Sequence, residues 1–283
     1  MEIKVCDTLC YQGSAKYNED IIGFNPFGAW VLDGATGLNN KNLISCKSDA
    51  NWYVNWWNNY LHKNIHNEIT LKELMFNGVK CISDEYYKKV DKNDIERLDT
   101  PSSSIAVIKF YNNKLEYFLL GDCTFYFKLG NENSVIKDRT LCVLDKRVYD
   151  EMEKLPNLDR LTFEEIKNSV MSTIISNRLK KNTKDGYWIL DFDENAIDNA
   201  INGFIDINDN IKIMLTSDGF SCISDRYKTI EEENLINEVE KYGAGEIYSK
   251  LRNIESEDFS TTRFPRFKVN DDSSCIYLDI DFS

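Results

Sequence analysis

Histidine is scarce in this chain, which has two of them, His62 and His66, among 283 residues. A Ser-His-Asp triad or a Cys-His pair would therefore have to use one of these two side chains. Their i, i+4 spacing could bind zinc from one helix face, but Lys63 stands where a zinc protease of this pattern carries glutamate. We therefore interpret both histidines as packed or solvated side chains.

The eight cysteines include no Cys-x-x-Cys pair, which argues against a thiol redox motif and against a zinc ribbon. They are predicted to be free, mostly buried thiols, as expected in a reducing compartment. No window approaches the roughly 18 apolar residues that a membrane span needs, and the first residues lack the basic and apolar regions of a signal peptide. These absences predict a cytoplasmic protein.

Positive charge is also in deficit, because 34 Lys and Arg oppose 47 Asp and Glu and the formal net charge is −13. A field of this sign repels phosphate backbones and anionic lipids. We therefore expect neither nucleic acid nor a membrane surface as a partner. The apolar content of 42% is ordinary for a folded globular chain.

Strand patterns come in hairpin groups interrupted by helix pairs, which predicts an α+β fold built on an antiparallel β-sandwich. Strands are predicted in two runs within 21–35, then at 105–111, 114–120, 124–129, 187–191, 211–216 and 274–280. Asn112 and Asn113 are predicted to form a tight hairpin turn. Helices are predicted from Ser48 onward, from capping boxes at Thr70 and Thr162, and at 231–241 and 245–254. The helix at Thr162 is predicted to run through Leu179.

Acidic clusters stand where these apolar strands begin or end. Asp33-Gly34 and Asp218-Gly219 follow strands, whereas Asn18-Glu19-Asp20 and Asp271-Asp272 precede them. Each Asp-Gly pair alone is more typical of an everyday turn. Taken together, the clusters supply the oxygen ligands that Mg²⁺ and similar hard cations require, at positions that strand ends make rigid.

In their order along the chain, these clusters resemble the type 2C family of metal-dependent serine/threonine protein phosphatases. The matching segments are 18–20, 31–34, 100–107, 120–122, 215–220 and 271–276. The resemblance spans nearly the whole chain. It implies one domain over 1–283, a four-layer α-β-β-α sandwich, and two Mn²⁺ or Mg²⁺ ions that activate a water against phosphoserine and phosphothreonine.

The resemblance also implies roles for single residues. Asp33 would be shared by both metals, with the carbonyl of Gly34 as a further ligand, and Asp218 and Asp271 would hold the second ion. These three aspartates would form the catalytic centre. The resemblance also places three further acids at the metal site, in supporting positions: Glu19, Asp20 and Asp122. Lys16 would approach the substrate phosphate, and a phosphorylated protein is the expected partner of a monomeric, signalling hydrolase.

The chain departs from the family pattern at several positions. Ala35 stands where many members carry a histidine that protonates the leaving group. Ala15 and Lys16 occupy the neighbourhood of a phosphate-binding arginine, and a lysine offers a point charge in place of a bidentate fork. Cys222 replaces an aspartate that serves a third metal, so no third site is predicted. The stretch 140–205 lacks the usual flap signature.

Three other interpretations stay open. A strand pattern ending in Asp191-Phe-Asp193 mimics the nucleophile motif of haloacid-dehalogenase phosphatases, although Asn195 replaces the usual Thr or Val and no strand-helix alternation surrounds it. A catalytically silent phosphatase fold that binds a phosphoprotein or partner protein is compatible with Ala35 and with the missing arginine. A phosphatase of small molecules would use the same aspartates.

Overall fold

The chain folds into two antiparallel β-sheets that pack face to face between helices. This computed structural model describes residues 2–39, 41–111 and 113–281. Within those residues the strands are β1 Glu2–Tyr11, β2 Asp20–Asn25, β3 Gly28–Ala35, β4 Ser102–Tyr111, β5 Lys114–Leu120, β6 Thr124–Leu129, β7 Glu132–Ile136, β8 Ile201–Asp206, β9 Ile211–Thr216 and β10 Ser273–Asp281. The helices are α1 Asp49–Asn64, α2 Leu71–Tyr87, α3 Thr140–Met152, α4 Phe163–Ser169, α5 Met171–Arg178, α6 Asn195–Asp198, α7 Asp218–Asp225, α8 Leu235–Tyr242 and α9 Ala244–Glu257.

The strand order differs between the two sheets. One sheet has the order β1-β10-β9-β6-β7 and the other β2-β3-β4-β5-β8, and every neighbouring pair is antiparallel. The first strand pairs with the last, with Thr8 opposite Ile276, so the two ends of the described chain meet in one sheet. The α+β sandwich expected from the sequence is confirmed.

The core lies in three layers because the central strands are covered on both faces. In β3, Val31 points toward the opposite sheet, where it joins a cluster with Ile213 and Ile276. Its neighbours Trp30 and Leu32 point the other way, toward α1 and α2. Each fully buried aliphatic side chain contributes about 1.5–3 kcal/mol, so strands packed on two sides tolerate few polar residues.

Helices α1 and α2 begin where the sequence predicts, and of the predicted capping box at Thr70 the hydroxyl half is formed. The Ser48 hydroxyl accepts a hydrogen bond from the amide of Asn51 at 3.0 Å, and the Thr70 hydroxyl accepts one from Glu73 at 3.1 Å. The outer face of the other sheet is covered by α7, α8 and α9 through a separate apolar cluster. This gives the four predicted layers.

The segment 137–200 departs most from prediction. The helix expected from Thr162 to Leu179 is wrong in its length, because the backbone leaves helical geometry at Val170, with φ −110° and ψ 8°, and divides it into α4 and α5. The capping box at Thr162 does form. Val170 is buried with Val148 and Ile166 in a small cluster of its own, and that packing replaces a continuous helix.

The strand predicted at 187–191 is also absent from the described residues. Leu190 makes an isolated bridge to Ser103, and Trp188 accepts one hydrogen bond from Gly121. The edge of β5 is already taken by β8, with Leu119 opposite Ile201, so the 187–191 segment meets the sheet only at its end.

The predicted burial of the cysteines is wrong, and the predicted turn at Asn112 and Asn113 is described only in part. The cysteines are not mostly buried: Cys123, Cys222 and Cys275 are buried, while four of the other free thiols, Cys6, Cys46, Cys81 and Cys142, are exposed. Of the predicted turn, Asn113 has the positive φ of 59° and Asn112 lies outside the described residues. No helix in the described ranges combines the length and apolarity required to cross a bilayer.

Candidate active site

A cavity of about 430 Å³ opens at one end of the sandwich and is lined by carboxylates from distant parts of the chain. The acidic residues that line it are Glu19, Asp33, Asp122, Asp145, Asp218 and Asp271. Topology explains most of this convergence. In an antiparallel pair, the end of one strand lies beside the start of the other. The end of β3 therefore lies beside the start of β2, with Asp33 opposite Asp20. In the same way, the end of β9 lies beside the start of β10.

The two Asp-Gly pairs are not turns. Asp33-Gly34 lies within β3, and Asp218-Gly219 opens α7. A Cβ atom on Gly34 would lie 2.7 Å from the carbonyl oxygen of Glu19, and one on Gly219 would lie 1.9 Å from that of Asp272. Both glycines are therefore required by close backbone contact, which holds the neighbouring aspartates against the acidic segments.

Asp33 is the centre of the carboxylate group. Burial, followed by repulsion from Asp20, Asp218, Asp122 and Asp271, raises the pKa of Asp33 well above its usual range. Burial and the charge of Asp271 raise the pKa of Asp218, while a hydrogen bond with Asp33 works in the opposite direction. Several carboxylates thus share one low-dielectric space with little positive charge to balance them.

Asp20 is buried behind this group and does not line the cavity. Neither of its carboxylate oxygens has a hydrogen-bond partner of normal geometry in the described structure, although Ser217 and Ser274 are close enough to lower its pKa somewhat. Burial dominates and raises the pKa of Asp20 to about 8. A buried carboxylate without partners is costly unless a proton or a cation is bound to it.

Glu19 and Asp122 are held by hydroxyl groups. The Thr36 hydroxyl donates to Glu19 at 2.5 Å, and the Ser104 hydroxyl donates to Asp122 at 2.6 Å. Burial and the charge of Asp218 raise the pKa of Asp122 to about 7. Both carboxylates therefore enter the cavity in fixed orientations.

The second residue of the Asp271-Asp272 cluster has a structural role. Asp272 is buried and accepts hydrogen bonds from the amides of Gly13 and Glu19, at 2.7 and 2.8 Å. It therefore ties the segment before β2 to the segment before β10. This brings the first and last acidic clusters of the sequence to the same place.

Asp271 has a cationic partner inside the cavity. The Lys268 ammonium donates to its carboxylate at 2.6 Å. Burial alone would raise the pKa of Asp271, but Lys268 outweighs that effect and holds the pKa below its usual value. Sequence analysis did not identify Lys268, although its spacing of three residues from Asp271 is visible.

The substrate lysine proposed from the sequence lies elsewhere. Lys16 is exposed on the segment between β1 and β2, its ammonium is 5.1 Å from the ring of Tyr17, and it does not line the cavity. The cations that do line it within the described ranges are Lys167, Arg178 and Lys268.

The segment 140–205, in which no flap signature was found, supplies one wall of the cavity. Asp145 enters from α3, and burial followed by the charge of Asp218 raises its pKa to about 7. The rest of this wall is largely apolar: Leu141, Leu144, Val148, Met171, Ile174, Tyr187 and Ile189. Ala35 also lines the cavity, so the position that lacks the family histidine does face this space.

The rival motifs lie outside the cavity. Asp191 is buried, accepts from Asn182 at 2.7 Å and pairs with Lys181 at 3.2 Å, which is an engaged structural carboxylate rather than an open nucleophile. His62 packs its ring 4.7 Å from that of Trp30, and His66 lies 5.8 Å from Phe27. Packing of the histidines agrees with their interpretation from the sequence.

The donor set suits a hard divalent cation. Carboxylate oxygens from Asp33, Asp218 and Asp271 face one cavity, and the orphaned carboxylate of Asp20 lies directly behind them. Among the described residues, however, no group of three His, Cys, Asp or Glu side chains has the arrangement needed to hold a metal ion. The carboxylates converge, and one of them is engaged by Lys268.

Comparison with known proteins identifies the fold. No protein-family model and no curated protein matches the chain. Among solved structures, the Mycobacterium tuberculosis serine/threonine phosphatase PstP is similar, with a TM-score of 0.60 at 15% identity over 99% of each chain. The catalytic domain of PstP in complex with two manganese ions gives a TM-score of 0.56 at 15% identity, again over 99% of each chain. Stp1, a serine/threonine phosphatase of Staphylococcus aureus, gives 0.56 at 11% identity over 99% of this chain and 95% of the other.

Proposed function

We propose that this chain, which has the fold of the bacterial type 2C serine/threonine phosphatases, is a divalent-metal-dependent phosphatase that removes phosphate from phosphoserine and phosphothreonine in proteins. The observation that carries the proposal is the convergence of Asp33, Asp218 and Asp271 on one cavity. Aspartates that far apart in the sequence gain nothing for stability from being crowded together. Their mutual repulsion is the kind of perturbation that marks functional sites.

The residues suited to hold the metal are those that the resemblance indicates. Asp33 would be shared between two ions, assisted by the Gly34 carbonyl, and Asp218 and Asp271 would complete the second position. Mn²⁺ or Mg²⁺ is proposed, and the manganese complex of PstP supports manganese. Two such ions supply a water of lowered pKa and a clamp for the phosphoryl oxygens.

The other acidic side chains are proposed to orient this centre. Glu19 and Asp122 are fixed by Thr36 and Ser104, so their carboxylates can accept hydrogen bonds from water in defined directions. Asp20 would lend its charge from behind. Lys16 could meet the phosphate of a substrate only from outside the cavity, since it is exposed and does not line it.

A protein substrate is proposed for two reasons. The fold is that of protein phosphatases, and the cavity is flanked by an apolar wall that suits the side chains beside a phosphorylated residue. A small phosphometabolite would leave that wall uncovered. The enzyme is further proposed to be cytoplasmic and to act as a monomer in signalling.

Two observations favour a second candidate, a catalytically silent module that binds phosphoproteins. Ala35 offers no proton donor where many type 2C members carry histidine, and Asp271 is already engaged by Lys268. Such a module would keep the cavity and its apolar wall but would turn over no substrate.

Hydrolysis of an aryl phosphate and of a phosphothreonine peptide in the presence of Mn²⁺, with and without chelator, tests the proposal. Asp33→Asn should lower kcat/KM by more than about 100-fold, since even residues that only support a metal ligand are worth 10–100-fold. Asp94→Asn is the matched control, because Asp94 is exposed and does not line the cavity.

The possible results separate the candidates. Metal-independent turnover, or an Asp33→Asn protein as active as Asp94→Asn, would reject the phosphatase mechanism. Absent turnover with intact binding of the phosphopeptide would identify the silent module. Turnover of the aryl phosphate that no phosphopeptide can inhibit would point to a small-molecule substrate.

A further inference from the structure

Lys268 lines the cavity and forms an ion pair with one of its carboxylates. It lies between α9 and β10, and its ammonium is 2.6 Å from a carboxylate oxygen of Asp271, three residues along the chain. About 31% of the Lys268 side chain and 28% of the Asp271 side chain are exposed. The charges of Asp33 and Asp272 also act on the ammonium, and together with Asp271 they raise the pKa of Lys268 although burial works in the opposite direction. The ammonium therefore occupies part of the space into which the catalytic carboxylates point.

The backbone on both sides of Lys268 is firmly anchored. The Arg266 side chain is almost fully buried and donates to Asp258 at 2.7 Å and to the carbonyl of Val269 at 2.9 Å. On the other side, Arg252 donates to the carbonyl of Asp271 at 2.5 Å. Because both neighbours are held, the pairing of Lys268 with Asp271 is a built-in feature and differs from a loose surface ion pair.

The other two cavity cations do not make this contact. The Lys167 ammonium lies 5.8 Å from the ring of Phe163, and within the described part of the chain neither Lys167 nor Arg178 forms an ion pair. Lys268 is thus distinguished from its neighbours by its carboxylate partner rather than by its position in the cavity.

We propose that Lys268 is an internal counter-ion that competes with the divalent cation for Asp271 and thereby sets the metal affinity of the site. This inference rests on the proposed function. Lys268 engages one oxygen, Oδ1, of the Asp271 carboxylate, so a divalent ion held by Asp271 must either break the ion pair or share the carboxylate with the ammonium. Either arrangement leaves an ammonium close to a doubly charged ion, and this weakens binding.

The consequence is a metal site that fills only when the divalent cation is sufficiently concentrated. In its absence, the Lys268 ammonium partly neutralises a group of carboxylates that would otherwise repel one another. When the cation takes Asp271, the released ammonium stays tethered in the cavity. Removal of the competing charge should therefore tighten metal binding.

The test measures Mn²⁺ affinity directly, by electron paramagnetic resonance of the free ion, in the wild type, Lys268→Met and Lys167→Met. Lys268→Met should bind Mn²⁺ about 10- to 100-fold more tightly, because the ion no longer competes with a charge-assisted hydrogen bond at Asp271. Lys167→Met removes the same charge from the same cavity without breaking an ion pair, and it should bind with nearly the wild-type affinity. Lys268→Gln replaces Lys268→Met if the methionine variant does not fold.

Several outcomes would overturn the inference. Unchanged or weaker Mn²⁺ binding in both folded Lys268 variants would exclude competition between Lys268 and the metal for Asp271. Mn²⁺-dependent activity of the wild type would in that case still support the proposed function. If Lys167→Met also bound Mn²⁺ more tightly, and by the same factor, the effect would come from the overall electrostatic potential of the cavity and not from the ion pair with Asp271. If Mn²⁺ bound to none of the proteins, the proposed function and this inference would fail together.

Discussion

A buried ion pair within α9 also hydrogen-bonds to the segment that carries Asp271, and its removal should be costly. The Glu255 carboxylate is 1% exposed and accepts hydrogen bonds from Tyr227 at 3.1 Å, from Asn270 at 2.8 Å and from Arg252. Arg252 also donates to the carbonyl of Asp271 and to the hydroxyl of Ser273. One guanidinium therefore satisfies a buried acid and positions the backbone of a proposed metal ligand.

The size of the effect follows from burial. Removing one partner of a buried pair costs about 3–5 kcal/mol, because the other charge is left without compensation. Since the Arg252 side chain is 18% exposed, we expect a value near the lower end, about 3 kcal/mol, for Arg252→Met. Glu255→Gln keeps the volume and leaves an arginine that water can reach, so it should cost about 1–2 kcal/mol.

The double variant tests the reasoning. If the two side chains act as a pair, Arg252→Met with Glu255→Gln should cost less than the sum of the single changes, by about 1–2 kcal/mol. Urea unfolding of the metal-free protein measures all three free energies. Arg252→Met should also weaken Mn²⁺ binding, whereas Glu255→Gln should do so less. Additive costs, or an Arg252→Met cost below about 1 kcal/mol, would refute the account.

Two further predictions concern the scaffold. Gly78→Ala should destabilise the fold by about 1–3 kcal/mol, because a Cβ there would lie 2.4 Å from the Trp57 ring. Gly245→Ala in α9 meets open space and should stabilise the fold by up to about 1 kcal/mol. Urea unfolding measures both changes, and the same sign for both would contradict this packing. Burial alone would raise the pKa of Asp99, but its hydrogen bonds and the ammonium of Lys41 hold it below its usual range. The stabilisation that Asp99 contributes should therefore be full at pH 7 and be lost as the pH falls below about 4. The difference in unfolding free energy between wild type and Asp99→Asn should shrink with acidification. A difference that grew instead would exclude a lowered pKa for Asp99.

The predictions from sequence succeeded where a local pattern has one physical meaning. Ser48 and Thr70 cap helices because their hydroxyls accept from an amide three residues on, which needs no distant partner. They failed where a distant contact overrides the pattern. Val170 interrupts a helix that its neighbours favour because it is buried with Val148, and the 187–191 segment is excluded from the sheet because β8 holds the edge of β5.

The candidate site divides in the same way. Asp33, Asp218 and Asp271 were predicted because acidic clusters beside apolar strands are visible in one sequence and their order resembles the type 2C pattern, and the antiparallel pairing then places those strand ends together. Asp145 and Lys268 carry no such signal. Asp145 lies in an ordinary amphipathic helix, and nothing in the sequence separates Lys268 from the other lysines, since its carboxylate partner and its place in the cavity are features of the fold.

The amino-acid sequence by itself determined the strands β2 to β6, β9 and β10, the starts of α1, α2 and α4, and the aspartates beside those strand ends, because periodicity, caps and strand boundaries are properties of neighbouring residues. Tertiary structure alone decided which charges share the cavity with those aspartates. Lys16 lies outside it while Lys268, Arg178 and Asp145 lie inside, since electrostatic partners are set by distances across the fold and not by separation along the chain.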